Sequence, residues 1–186
     1  MINVLGMDPS LSNWAFAAAQ LDPATHELHM RELILARTSK SSIRKQLVCT
    51  DDVNRAQILS DAVFRYAPYA HAIFVEVPTG SQNSRGALGS GVCIGILAAM
   101  RTRKIPFFQV TPHELKMASV GRRTASKEAV IEWAMDKYPD LNWPMKTRKG
   151  ETSYVKDQAN HMADAIACVH AGIKTPHFQQ LVALSR

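Results

Sequence analysis

Apolar positions run almost unbroken from Met1 to Met7, which reads as a buried strand whose end is punctuated by Gly6 and Pro9. Trp14–Gln20 is apolar and small and reads as a second strand. Leu28–Leu35 alternates well enough for a third, across a turn at Asp22-Pro23-Ala24-Thr25-His26. Three consecutive strands on short links predict an antiparallel meander. Arg37–Cys49 is polar and basic and predicts a loop or an irregular helix start. The period then changes. Val53, Ala56, Ile58, Leu59, Ala62, Val63 and Tyr66 fall at helical spacing within Asp51–Tyr66, and Pro68 stops that helix. A fourth strand over His71–Val77 carries Glu76 near its end, and a loop over Pro78–Ser84 leads into a Gly- and Ala-rich helix over Arg85–Arg101. Pro106–Val110 predicts a fifth strand, Thr111-Pro112-His113-Glu114 a helix start, and Ser126–Tyr138 a helix capped by Ser126. Asp140–Lys156 reads as a polar, basic loop, and Gln158–Ala171 as an apolar helix containing His161 and Asp164. The expected fold is α/β: a five-stranded mixed sheet, three antiparallel strands and then two parallel ones joined through helical crossovers, flanked by helices. No repeat or domain boundary is visible, so residues 1–186 are read as one domain.

Asp8 is the only charge in the first twenty-one residues. A carboxylate at the tip of a core strand needs compensation, because burying an unpaired charge is costly. Asp-Pro-Ser is good turn chemistry, so Asp8 reads either as a turn cap or as a metal ligand with partners elsewhere. In the expected topology the fourth strand lies beside the first, in parallel, and Glu76 emerges at the same sheet edge. His161 and Asp164, three apart on a helix, share one face. An acid on each of two strands plus a pair on a helix suits two divalent cations. Mg²⁺ takes oxygen ligands, and two ions roughly 3.5–4 Å apart can activate water and stabilise the leaving oxygen of a phosphodiester. Each residue alone is more commonly a cap or an ion-pair partner; their joint placement carries the reading.

Charge adds a partner. The net charge is +6, and it is lopsided: residues 1–93 hold eight Lys/Arg against eight Asp/Glu, residues 94–186 fourteen against eight. Residues 101–127 alone hold Arg101, Arg103, Lys104, Lys116, Arg122, Arg123 and Lys127 with one acid, Glu114. Such a stretch suits phosphate contacts on a polyanion, although part of it is ordinary solvated surface. Cys49, Cys93 and Cys168 are odd in number, widely spaced and in apolar company, with neither a disulfide framework nor a zinc pattern. Met1–Leu11 lacks the marks of a signal peptide, and the apolar helix over Arg85–Arg101 is shorter than the ~20 residues a bilayer needs. The expectation is therefore a cytoplasmic protein with no membrane partner.

Gly6-Met7-Asp8-Pro9-Ser10 resembles the opening Gly-Ile-Asp-Pro-Gly of RuvC-type Holliday junction resolvases. Val75-Glu76 followed by Asn83-Ser84-Arg85-Gly86-Ala87-Leu88 resembles their second motif, in which a catalytic Glu precedes a loop and an Asn/Ser-led helix. Thr111-Pro112 with Lys116, then Gly121 and Lys127, is similar to their basic region, and His161-Met162-Ala163-Asp164-Ala165-Ile166-Ala167 to their final Asp-Ala-Ala-Asp-Ala-Leu-Ala. The resemblance implies a ribonuclease H-like fold and a homodimer. It also implies Mg²⁺-dependent nicking of paired strands in branched DNA, with 5′-phosphate and 3′-hydroxyl ends. Asp8, Glu76, His161 and Asp164 would hold two Mg²⁺ or Mn²⁺ ions. Lys127 would assist at the scissile phosphate. Asn83, Ser84, Arg85, Lys116, Arg122, Arg123, Lys127 and Lys149 would contact DNA. The small size and the departures from pattern fit a phage-encoded member.

The departures alter the chemistry expected. His161 stands where Asp is usual, with Asp157 or Asn160 as the alternative fourth ligand. Imidazole suits Mn²⁺ better than Mg²⁺ and titrates near neutrality, which predicts good Mn²⁺ activity and a fall below about pH 6.5. Val77-Pro78-Thr79 lacks an aromatic wedge. Asp140–Lys156 supplies Lys146, Arg148, Lys149 and Lys156 with Trp143 and Tyr154, either as a backbone-contacting, base-stacking segment or as a solvated loop. The glycines of the helix over Arg85–Arg101 imply close packing, on the sheet or on DNA or a second subunit. Two further functions stay open: a broader fork and flap debranching nuclease, and a junction-binding protein without catalysis.

Overall fold

The computed structural model describes residues 1–184. Three antiparallel strands open the chain, β1 (Ile2–Asp8), β2 (Asn13–Leu21) and β3 (Leu28–Arg37), followed by α1 (Val48–Tyr66). β4 (Ala72–Glu76), α2 (Ser84–Thr102), β5 (Phe108–Val110), α3 (Pro112–Ser119) and α4 (Lys127–Lys137) come next. The five strands form one sheet in the order β3-β2-β1-β4-β5, with β1·β2 and β2·β3 antiparallel and β1·β4 and β4·β5 parallel. This is the mixed sheet expected from the sequence.

Two expectations need correction. Asp140–Lys156 is not a plain loop: β6 (Met145–Arg148) and β7 (Glu151–Tyr154) pair as a separate antiparallel hairpin. Seven of its eight strand residues are exposed, so no apolar alternation announces it. Its turn residues Lys149 and Gly150 both have positive φ (53° and 85°), the conformation of the tight turns that join twisted strands. After α5 (Lys156–Gly172) there is also α6 (Pro176–Leu184), which was not expected and which buries Phe178 and Val182.

Alternation along the strands sorts the core into two layers. Val4, Ala15, Ala17, Phe74 and Val110 pack with α3, α4, α5 and α6 on one face. Leu5, Met7, Trp14, Phe16, Ile73 and Val75 pack with α1 and α2 on the other. Asp8 follows Val4 and Gly6 on the α5 side, and Glu76 follows Ala72 and Phe74 to the same side. Gly6 makes the approach of α5 possible. A Cβ there would lie 2.0 Å from the Ala165 carbonyl oxygen, so only glycine fits.

The glycines of α2 divide. A Cβ at Gly89 would meet Leu11 at 3.3 Å, but at Gly91 and Gly95 nothing lies within 4 Å. Packing on the sheet therefore does not account for those two. Trp143 and Tyr154 are no base-stacking platforms either: Trp143 is buried and donates its indole N–H to the Tyr138 carbonyl at 2.9 Å, and Tyr154 packs on the core. Cys93 and Cys168 are buried as expected, whereas Cys49 is exposed. Among the described residues no helix is long and apolar enough to cross a membrane.

Candidate active site

The parallel register Met7↔Val75 sets Asp8 beside Glu76 at the ends of adjacent central strands. α5 crosses the same edge and delivers His161 and Asp164. His161 Nδ1 lies 2.5 Å from Asp8 Oδ2, with both side chains largely buried. Asn160 donates to Asp164 Oδ2 at 3.1 Å, and its own Oδ1 is buried without a partner. Asp157, one turn earlier, is exposed and accepts from the buried Asn13 at 2.6 Å. Thus His161 faces Asp8, while Asp157 is engaged by β2.

The electrostatics follow from crowding three carboxylates in a half-dry site. Burial, and then the charge of Asp8, push the Glu76 carboxyl up to about 7, against the pull of Lys116, Lys127 and His161. Asp164 rises well above the usual carboxylate range through burial, Asp8 and Glu76. For His161, burial disfavours the charged ring, but the hydrogen bond and charge of Asp8, with Asp157 and Asp164, outweigh it. The imidazolium therefore persists above its ordinary range.

No group of three or more His, Cys, Asp or Glu side chains is arranged to hold a metal ion among the described residues. Asp8 and His161 engage each other instead. The donor set nevertheless fits hard divalent cations. Carboxylates held towards the protonated form by burial, and then by one another's charge, are groups a cation would deprotonate, and the orphaned Asn160 oxygen is a further neutral donor.

The other residues singled out in the sequence are dispersed. Lys116 is half-buried on α3 and Lys127 is exposed at the start of α4, each near enough to lower the Glu76 pKa. Arg122 and Arg123 are exposed between α3 and α4, and Lys149 is exposed at the hairpin turn. Asn83 caps α2, accepting from Gly86 N at 2.7 Å, and Ser84 is exposed beside it. Arg85 is committed to Asp52 through a bidentate ion pair. Sequence reasoning missed Asn13 and Arg55. For Arg55 a signal existed: with Leu59 and Val63 it stands at i, i+4, i+8 on the buried stripe of α1.

No protein-family model and no curated protein sequence matches the chain. Solved structures do. The chain is similar to Thermus thermophilus RuvC in complex with a Holliday junction substrate, at 18% identity over 92% of this chain and 97% of that one, with a TM-score of 0.57. It is similar to fowlpox virus resolvase in complex with Holliday junction DNA at 10% identity, covering 94% of this chain and 100% of that one, with a TM-score of 0.57. For the yeast mitochondrial Holliday junction resolvase the identity is 15%, the coverage 98% and 86%, and the TM-score 0.51. The fold is thus α/β of the ribonuclease H-like class. Within that class it is the RuvC-type fold that the four motifs implied.

Proposed function

We propose that this chain is a structure-selective endonuclease that resolves four-way DNA junctions with divalent cations. One observation carries the reading: Asp8 and Glu76 end adjacent parallel strands, and α5 brings His161 and Asp164 onto them. The similar structures support the substrate, because their own names are those of Holliday junction resolvases, two of them with junction DNA.

Asp8, Glu76, His161 and Asp164 would hold two Mg²⁺ or Mn²⁺ ions. When bound, these ions would make water a competent nucleophile and stabilise the leaving 3′ oxygen, giving 5′-phosphate and 3′-hydroxyl ends. The protein's own part is positional. The paired strand ends fix two carboxylates at one edge, and the buried helix fixes the other two groups. Lys116 and Lys127 supply positive charge beside Glu76, where a phosphate would sit. Exposed Arg122, Arg123 and Lys149, with Asn83 and Ser84 at the start of α2, would contact DNA backbone, and Arg85 beside them is already engaged by Asp52. Resolution needs two sites on opposing strands, so we propose a homodimer.

The test is nicking of labelled four-way junction, fork, flap and linear duplex in Mg²⁺ or Mn²⁺, with Glu76→Gln as the control. Symmetric cuts in the junction, absent from duplex and reduced at least 10³-fold (an order-of-magnitude expectation, ~4 kcal/mol) in the variant, are expected. Equal cutting of forks and flaps would make it a debranching nuclease. Tight junction binding without cutting in either metal would leave a binding protein.

A further inference from the structure

Arg55 is 5% exposed, yet no carboxylate among the described residues lies within ion-pair distance of it. Its guanidinium is held by neutral groups alone: Nε donates to Thr38 Oγ1 at 2.9 Å, and Nη2 to Ser12 Oγ at 3.0 Å and to the Leu11 carbonyl at 3.4 Å. A buried cation without a counter-ion is costly, and proteins rarely leave one unless an anion arrives. Arg55 lines an open cleft of about 560 Å³ with Lys40, Arg85, Ser12, Ser90 and Thr38. The acids nearby are few. Asp52 is taken by Arg85, and Asp51 accepts from the Ser41 backbone at 3.0 Å. The carboxyl of Asp52 is held below its ordinary range, chiefly by Arg85 and further by Arg55 and Lys40, so the acid whose charge reaches Arg55 is already paired with Arg85. Guanidinium, ammonium and several hydroxyls with no free acid make up a phosphate-binding donor set.

The cleft's position gives it a use. Pro9, the residue after Asp8, lines it, and so does Cys93, whose thiol feels the charge of Asp8. It lies on the α1/α2 face of the sheet, whereas Lys116 and Lys127 lie on the α3/α4 face. The two basic groups therefore flank the carboxylate edge from opposite sides. We infer that Arg55, assisted by Lys40, binds an internal phosphodiester of the substrate strand within a few nucleotides of the cut. The inference rests on the nuclease reading above and adds a positioning contact to it.

The experiment is a phosphate-neutralisation cycle. Four-way junctions carrying a single methylphosphonate at each position around the cut are measured for affinity and nicking with the wild type, Arg55→Gln and Lys40→Gln. With the wild type, one position on the strand is expected to lose about tenfold in affinity. Arg55→Gln is expected to lose about the same on the unmodified junction, to lower the salt slope by about one, and to be indifferent to methylphosphonate at that position only. Lys40→Gln, which is exposed and leaves the fold alone, should blunt the same position, and it carries the test if Arg55→Gln does not fold. Additive losses at every position in both variants would overturn the inference and make Arg55 a structural tie between Thr38 and Ser12. Absence of junction binding by the wild type would remove the nuclease reading and this contact with it; binding with unaltered interference would remove only the contact.

Discussion

At Asp8 the chain sets a carboxylate against an imidazole, where the resemblance leads one to expect a second carboxylate from α5. One residue thereby changes the local charge from mutual repulsion to attraction, and His161 stays protonated beyond its ordinary range because of it. The i, i+3 pair was legible in the sequence; its contact with Asp8 was not, because it depends on how closely α5 approaches β1. A second histidine on the same helix behaves in the opposite way. His170 is buried, takes a 2.7 Å hydrogen bond with the Tyr138 hydroxyl, and meets Trp133 edge-on at 5.1 Å. Burial first, then Lys137 and Lys174, lower its pKa to about 4. Its folded value is thus below the unfolded one, so the unfolded chain binds the proton first and stability falls as pH drops from about 6.5 towards 4. At pH 5 the linkage costs about 2 kcal/mol relative to neutral pH. Urea unfolding of wild type and His170→Gln at pH 7.5 and pH 5 should show the larger loss in the wild type. Equal losses would mean the ring is not kept neutral.

The pairing of α5 with β1 is the element-scale contact on which the site depends. Small residues make it close: Gly6 on β1 touches Ala165 on α5, and Ala15, Ala17 and Ala19 of β2 line the same face. Gly6→Ala puts a methyl into the Ala165 carbonyl, and the helix must shift or tilt. Overpacking of this kind costs about 1–3 kcal/mol, or several degrees in Tm for a chain of this size. Because Asp8 lies two residues along and His161 one helical turn away, nicking should fall further than the stability loss explains. Full activity at a lowered Tm would show that the site tolerates displacement of α5. The five strands and the order of the crossovers were legible because they are apolar or alternating runs and four of them, all but β3, have a Gly or Pro at or just beyond their ends. The β6–β7 hairpin was not, since its strands face water on both sides and leave only Lys149-Gly150 as a signal. Trp143 is the converse case: an aromatic in a basic stretch can be read as a stacking surface, but it anchors the hairpin's base against Tyr138.

At the scale of the whole molecule, one exposed apolar face bears on the proposed dimer. The outward face of α2 carries Leu88 and Ile94, each 45% exposed, with Gly91, Gly95 and Ala98 between them. Each glycine costs the helix roughly 1 kcal/mol against alanine, and at Gly91 and Gly95 nothing among the described residues occupies the space gained. A second copy of the same helix packed there would use it, because small residues let two backbones approach closely and a two-fold axis brings the same patch to itself. Such a pair would also give a four-way junction the two sites it needs. Ala98→Glu places a charge at the centre of that face while touching nothing in the monomer core. Light scattering should show the wild type at twice the chain mass and the variant at the chain mass. On a cruciform plasmid the wild type should give linear product from paired cuts, and the variant nicked circles, since one site at a time cannot cut both strands within one encounter. Gly91→Ala divides the two roles of the glycine, raising helix stability in the monomer while weakening association. A variant that remains dimeric with Glu at residue 98 would place the dimer contact elsewhere on the surface.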